Sequence, residues 1–154
     1  MRPRLFENVI CPKELYWLYT ELLATHGWTL NAHARPAPGI DRIFPTIGNL
    51  HIEPGMKWFD YFQGLVFRIK QTADKEKVGM NYKIARVFIN ATFSDSITKL
   101  HTDNDGERPV HSLLVFLTPV WQDSWLGSFW VDGNEYKFKP GNVVYFASNE
   151  FHTG

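Results

Sequence analysis

A mainly β domain with helices at its N-terminal end is the fold class this sequence predicts, its strands forming an antiparallel barrel or sandwich. Three observations predict it. Apolar residues recur at helical spacing in the first half of the chain. From Ile84 onward, short runs of β-branched and aromatic residues take over. Asp132-Gly133-Asn134 and Pro140-Gly141 then punctuate those runs as turns.

Taken in order, residues 4–10 alternate weakly and predict a short strand. Pro12 suits the first turn of a helix, where a missing N–H forfeits no bond. Leu15, Leu18 and Leu22, flanked by Tyr19 and Leu23, place that helix over Lys13–Thr25, and Gly27 closes it. Trp28-Thr29-Leu30 reads as a short strand. The stretch 31–55 reads as loop, because Pro36, Pro38, Gly39, Pro45, Gly48, Pro54 and Gly55 interrupt it. Trp58, Phe59, Phe62, Leu65, Val66 and Ile69 make 56–70 an amphipathic helix. Arg68, Lys70, Lys75, Lys77, Lys83 and Arg86, set against Asp74 and Glu76, read as a solvated face. Strands are expected over Ile84–Phe93, Ser112–Thr118, Ser128–Val131, Glu135–Phe138 and Asn142–Phe146. No repeat or linker divides the chain, so a single domain is expected: 1–81 as helical support and 82–154 as β core.

Composition narrows the function classes. The chain has 154 residues, 44% of them hydrophobic and 16% aromatic, enough to build a core rather than a disordered segment. Sixteen basic residues balance sixteen acidic ones, which gives no electrostatic reason to expect nucleic acid or an anionic membrane as partner. No apolar run is long enough to span a bilayer, and the basic N-terminus lacks the apolar stretch of a secretory signal. A single cysteine, Cys11, forms no internal disulfide, and a cytoplasmic location is the expectation.

The chemistry-bearing signal is His101-Thr102-Asp103 with a later His152. In an extended segment, positions i and i+2 project to one side, so His101 and Asp103 can meet one ion. The hairpin-rich stretch that follows is long enough to bring His152 back beside them. Two imidazoles and a carboxylate on one face of an octahedral Fe(II) leave three positions open.

The surroundings of this set resemble the Fe(II)/2-oxoglutarate-dependent dioxygenases, in particular the prolyl-4-hydroxylase-like branch. The residues that carry the resemblance begin with Leu100-His101-Thr102-Asp103 and the strand Ser112-Leu113-Leu114-Val115-Phe116-Leu117. Trp121-Gln122-Asp123-Ser124-Trp125-Leu126-Gly127 follows, then Phe138-Lys139-Pro140-Gly141 leading into Asn142–Phe146, and last Phe151-His152-Thr153-Gly154. The match covers about residues 82–154. It implies a double-stranded β-helix core, of the jelly-roll or cupin-like kind, with Fe(II) held by His101, Asp103 and His152. It also implies 2-oxoglutarate as cosubstrate, O2 as oxidant and ascorbate as accessory reductant. The implied reaction hydroxylates an unactivated C–H bond, with release of succinate and CO2. The substrate is a peptide, with peptidyl proline the first candidate, or a small molecule.

Two departures matter. Where the branch commonly has two glycines and an acidic residue after the tryptophan, this chain has Leu126-Gly127-Ser128. The family anchors the distal carboxylate of 2-oxoglutarate with an Arg or Lys several residues beyond the second histidine, whereas this sequence ends at Gly154. The expectation is therefore a fragment without its final strand, whose residues 142–152 expose an unpaired edge. The other option is an internal anchor such as Arg86. Asn90 and Tyr82 are further candidates for cosubstrate contact, and Trp121 and Trp125 for the substrate entrance. Stretches 31–55 and 119–126 are expected to flank the mouth of the site. His111 is not expected to be a ligand; His26, His33 and His51 lack mutual metal spacing, and Cys11 reads as a quiet thiol. Two rivals stand beside this reading: a cupin-like metal-binding barrel with a different reaction, and a non-catalytic binding module on a degenerate core.

Overall fold

The computed structural model describes residues 2–31, 46–75, 83–91, 100–104 and 110–154. They form two helices and a set of short strands in three antiparallel sheets, a mainly β architecture. The chain divides into two compact units, Met1–Ala24 with Ile97–Gly154, and Thr25–Ser96.

The first unit begins with β1 (Arg4–Phe6) and α1 (Pro12–Leu23). Pro12 sits at the start of α1, and Leu15, Leu18 and Leu22 are its buried stripe, as the spacing predicts. The strands of its C-terminal part are β2 (His111–Val115), β3 (Ser128–Val131), β4 (Asn134–Lys137), β5 (Val143–Ala147) and β6 (His152–Thr153). β5 lies between β1 and β2, pairing Leu5 with Val144 on one side and Leu114 with Val144 on the other. A strand flanked on both edges and covered on both faces has no polar side to show. Val143, Val144, Tyr145 and Phe146 are accordingly all buried, an unbroken apolar run rather than an alternating one.

In the other sheet β3 is central, between β4 and β6. β3 and β4 are joined by Asp132 and Gly133, both at positive φ (49° and 71°), the twist a tight two-residue hairpin requires. Phe129 and Val131 of β3 join Phe116, Val144 and Phe146 in one apolar cluster, with Leu114, Tyr136 and Phe138 packed against it. That cluster is the floor on which the candidate site stands.

The second unit contains β7 (Thr29–Asn31), β8 (Thr46–Ile52), α2 (Lys57–Lys75) and β9 (Val87–Ala91), with β8 central in the sheet. Leu50, Ile52 and Ile89 are its buried strand residues.

Three expectations are corrected. The 31–55 stretch is not all loop, since Thr46–Ile52 forms a seven-residue strand whose residues Gly48 to Ile52 pair with β9; residues 32–45 lie outside those described. The second helix continues to Lys75, because Ala73 extends the buried row of Phe62, Leu65 and Ile69 by one more turn. The unpaired edge expected over 142–152 is absent. β5 has neighbours on both sides, and His152 pairs with Val131 and also bridges to His101. Part of the strand supply comes from β1, at the far end of the sequence.

Candidate metal centre

His101 and His152 are placed by the backbone. The N–H of each donates to the carbonyl of the other, at 3.1 and 2.9 Å, which makes them a directly opposed antiparallel pair. Side chains of such a pair leave the sheet on the same face. Their ring centroids lie 4.3 Å apart. Asp103, two residues beyond His101, is tied through its backbone N–H to the carbonyl of Ser148 at 2.9 Å. His101 and Asp103 thus bring their side chains near one another.

The donor atoms converge. Asp103 Oδ1 is 3.6 Å from His152 Nε2 and 4.0 Å from His101 Nε2, and one ligand atom from each residue lies within 4.8 Å of the others. These spacings are somewhat wider than the roughly 3 Å between adjacent donors at right angles around an ion with bonds of about 2.1 Å. His152 is preset to donate. Its Nδ1 lies 2.9 Å from the carbonyl oxygen of Glu150, which only accepts, so Nδ1 carries the proton and Nε2 of the neutral ring keeps its lone pair. The rings of Phe146 and Phe129, with centroids 4.9 and 5.6 Å away, wall the imidazole.

Asp103 is oriented as firmly. Its Oδ2 accepts from the Ser112 hydroxyl at 2.6 Å, leaving Oδ1 toward the imidazoles. Burial alone raises its pKa. The hydrogen bonds from His152 and Ser112, with the charges of both histidines, outweigh that and hold the carboxyl below its ordinary value. For His152, burial lowers the pKa, yet the hydrogen bonds to Asp103 and the Glu150 carbonyl carry it above the ordinary imidazole value. The two shifts are mutual: each group favours the charged form of the other. The donor chemistry, two imidazole nitrogens and one carboxylate, fits a divalent first-row metal and Fe(II) among them.

The remaining candidates have surroundings of their own. Asn90, on β9 of the second unit, accepts a hydrogen bond from Asn49 Nδ2 at 2.8 Å. Arg86 belongs to the same unit, with its guanidinium 5.5 Å above the Phe88 ring. Tyr82 lies outside the described residues. Trp121 stacks on Phe138 at 4.0 Å, meets Trp125 edge-on at 5.6 Å, and donates its indole N–H to the Leu126 carbonyl at 2.8 Å. Gly127 is required there, since a Cβ would come within 2.7 Å of the Trp121 ring. Trp121 thus packs the loop, while Trp125 stays half exposed. His111 stacks near Tyr145, where burial pushes its pKa down, and it takes no part in the triad.

Sequence reasoning missed Ser112 and Ser148 as partners of the site. The two hydroxyls are 2.9 Å apart. A signal existed: Ser112, Leu114 and Phe116 form one row and Val144, Phe146 and Ser148 another, each with a serine ending an otherwise apolar face.

No family model and no curated protein matches the chain. Among solved structures it is similar to a prolyl-4-hydroxylase from Pseudomonas putida, with a TM-score of 0.62 over 98% of this chain and 83% of that one. Sequence identity is 18%. The likeness is one of fold.

Proposed function

We propose that this chain is an Fe(II)- and 2-oxoglutarate-dependent oxygenase with a double-stranded β-helix core, in which His101, Asp103 and His152 hold the metal. The observation that carries the reading is the convergence of Asp103 Oδ1 and two imidazole nitrogens within 4.8 Å. The fold likeness to a prolyl-4-hydroxylase supports the same class. When bound, Fe(II) with 2-oxoglutarate and O2 supplies the oxidising power to hydroxylate an unactivated C–H bond, yielding succinate and CO2.

The residues of this chain do the holding and the shielding. Asp103 contributes the negative charge, which the Ser112 hydroxyl keeps pointed inward. His152 keeps its lone pair forward through the Glu150 carbonyl, and Phe129 and Phe146 exclude water behind its ring. Peptidyl proline is the first substrate to assay, given the activity named for the structural neighbour.

The test is anaerobic titration with Fe(II) or Co(II), followed by succinate formation from 2-oxoglutarate in air with proline-containing peptides. Tight 1:1 metal binding that weakens at least about 100-fold in Asp103→Ala is expected, since even indirect partners of a metal ligand are worth 10- to 100-fold. Equal metal stoichiometry and affinity in that variant would remove the assignment. Metal binding without succinate formation would favour the cupin-like alternative.

A further inference from the structure

We infer that Ser112 and Ser148 form a directed hydroxyl relay that holds Asp103 as a one-oxygen metal ligand. The inference rests on the metal-site reading above and extends it to two residues outside the ligand set. Its direction follows from proton counting. An ionised carboxylate can only accept, and a serine hydroxyl has one proton to give. Ser112 Oγ lies 2.6 Å from Asp103 Oδ2 and must give its proton there. The 2.9 Å contact between Ser112 and Ser148 is then left with one polarity: Ser148 donates and Ser112 accepts. Each donor polarises the next, so the hydrogen bond reaching the carboxylate is strengthened by the one behind it.

The inner end of the relay is sheltered from water. Ser148 is 1% exposed, the most buried polar residue of the described part of this unit. Its main chain is committed to the same region: its carbonyl accepts from the N–H groups of both Asp103 and Asn104, at 2.9 and 3.1 Å, and its N–H donates to Val110 at 2.9 Å. Ser148 therefore fixes the Asp103 backbone and, through Ser112, the Asp103 side chain. Ser112 reaches the site from β2, in register opposite Phe146, whose ring packs on His152. One pair of neighbouring strands thus positions both the carboxylate and the buried imidazole.

The consequence concerns coordination. A carboxylate with both oxygens free can grip an ion through one or both. With Oδ2 occupied by Ser112, only Oδ1 is offered, and a position that a second carboxylate oxygen would fill stays available to exogenous ligands. Ser112 and Ser148 are positioning residues in this scheme, acting on the metal through Asp103.

The experiment uses Co(II) as probe with the full chain, reading affinity by titration and coordination by the visible absorption spectrum, and checking each variant's fold by circular dichroism. Ser112→Ala is expected to weaken Co(II) binding about 10- to 100-fold and to shift the spectrum as Asp103 turns to chelate. Ser112→Thr, which retains a hydroxyl, should restore both affinity and spectrum, a rescue that a packing role would not produce. Ser148→Ala should give a smaller loss, about 2- to 10-fold, in line with one neutral hydrogen bond. A folded Ser112→Ala with wild-type affinity and spectrum overturns the relay. If Ser112→Ala does not fold, wild-type binding in Ser148→Ala overturns it instead. Failure of the wild-type chain to take Co(II) would defeat the metal-site reading itself, and the relay with it.

Discussion

The two histidines of the candidate centre are supported very differently. His152 is 6% exposed at its side chain, clasped between Phe129 and Phe146, with β3 on one side and His101 on the other. His101 is 49% exposed and sits in a single bridge rather than a strand. The buried ring has its tautomer and direction fixed by the fold. The exposed ring stands where a ligand entering from solvent can adjust it. A site built this way pairs a rigid wall with an adaptable one, and the somewhat wide spacing of the donor atoms is closed most cheaply from the His101 side.

The largest expected effect tests the rigid wall. Phe146→Ala removes a ring that is 2% exposed and touches both Phe129 and His152, and should cost about 3–5 kcal/mol in chemical denaturation. Phe151, next to His152 in sequence but 64% exposed, should cost under about 0.5 kcal/mol when changed to Ala. Equal costs for the two would erase the distinction between a packed side and an open one.

A smaller effect separates the histidines themselves in the metal-free protein. His152→Ala deletes a packed ring and the partner of Asp103, an expected loss of about 1–3 kcal/mol. His101→Ala should stay within about 0.5 kcal/mol while weakening metal binding at least as much as its counterpart. Thermal melts with and without Co(II) read both quantities. A His101→Ala variant as unstable as His152→Ala would mean that the exposed segment is as firmly built in as the buried one.

The same contrast explains what was legible in the sequence. Val143–Phe146 announced itself as an apolar run, and Asp132-Gly133-Asn134 as a hairpin, because both signals are local. The triad was legible through the i, i+2 spacing of His101 and Asp103 and the residues around His152, which resemble a known arrangement. β8 was hidden by Pro45, Gly48 and Pro54, although Leu50 and Ile52 alternate with His51. Which strand covers the edge of β5 is a long-range matter that no window reveals, since β1 arrives from residues 4–6. Ser112 and Ser148 escaped for a related reason. Alternation shows that Ser112 shares a face with Leu114, but only the fold shows that this face ends at a carboxylate.

The smallest and most graded expectation follows from the competition between a proton and a metal ion for Nε2 of His152. The His152 pKa is raised by Asp103 and the Glu150 carbonyl against the effect of burial, and that of Asp103 is lowered by His152 and Ser112 against the same effect. A raised imidazole stabilises the fold fully below its unfolded value of about 6.5, and that contribution fades as pH climbs through the folded value. A lowered carboxyl contributes above about 3.8 and loses its contribution as pH falls through its folded value. The pair therefore supports the metal-free protein in the window between them. A divalent ion needs Nε2 of His152 unprotonated, so it competes with this proton. Co(II) affinity should rise with pH by up to about tenfold per unit from this one proton, then level off above the raised His152 value. Titrations from pH 5.5 to 8.5, with the released proton counted in weakly buffered solution, would follow it. Affinity independent of pH across that range would show that the ion does not displace the His152 proton, and the rigid wall would then belong to the fold rather than to the metal.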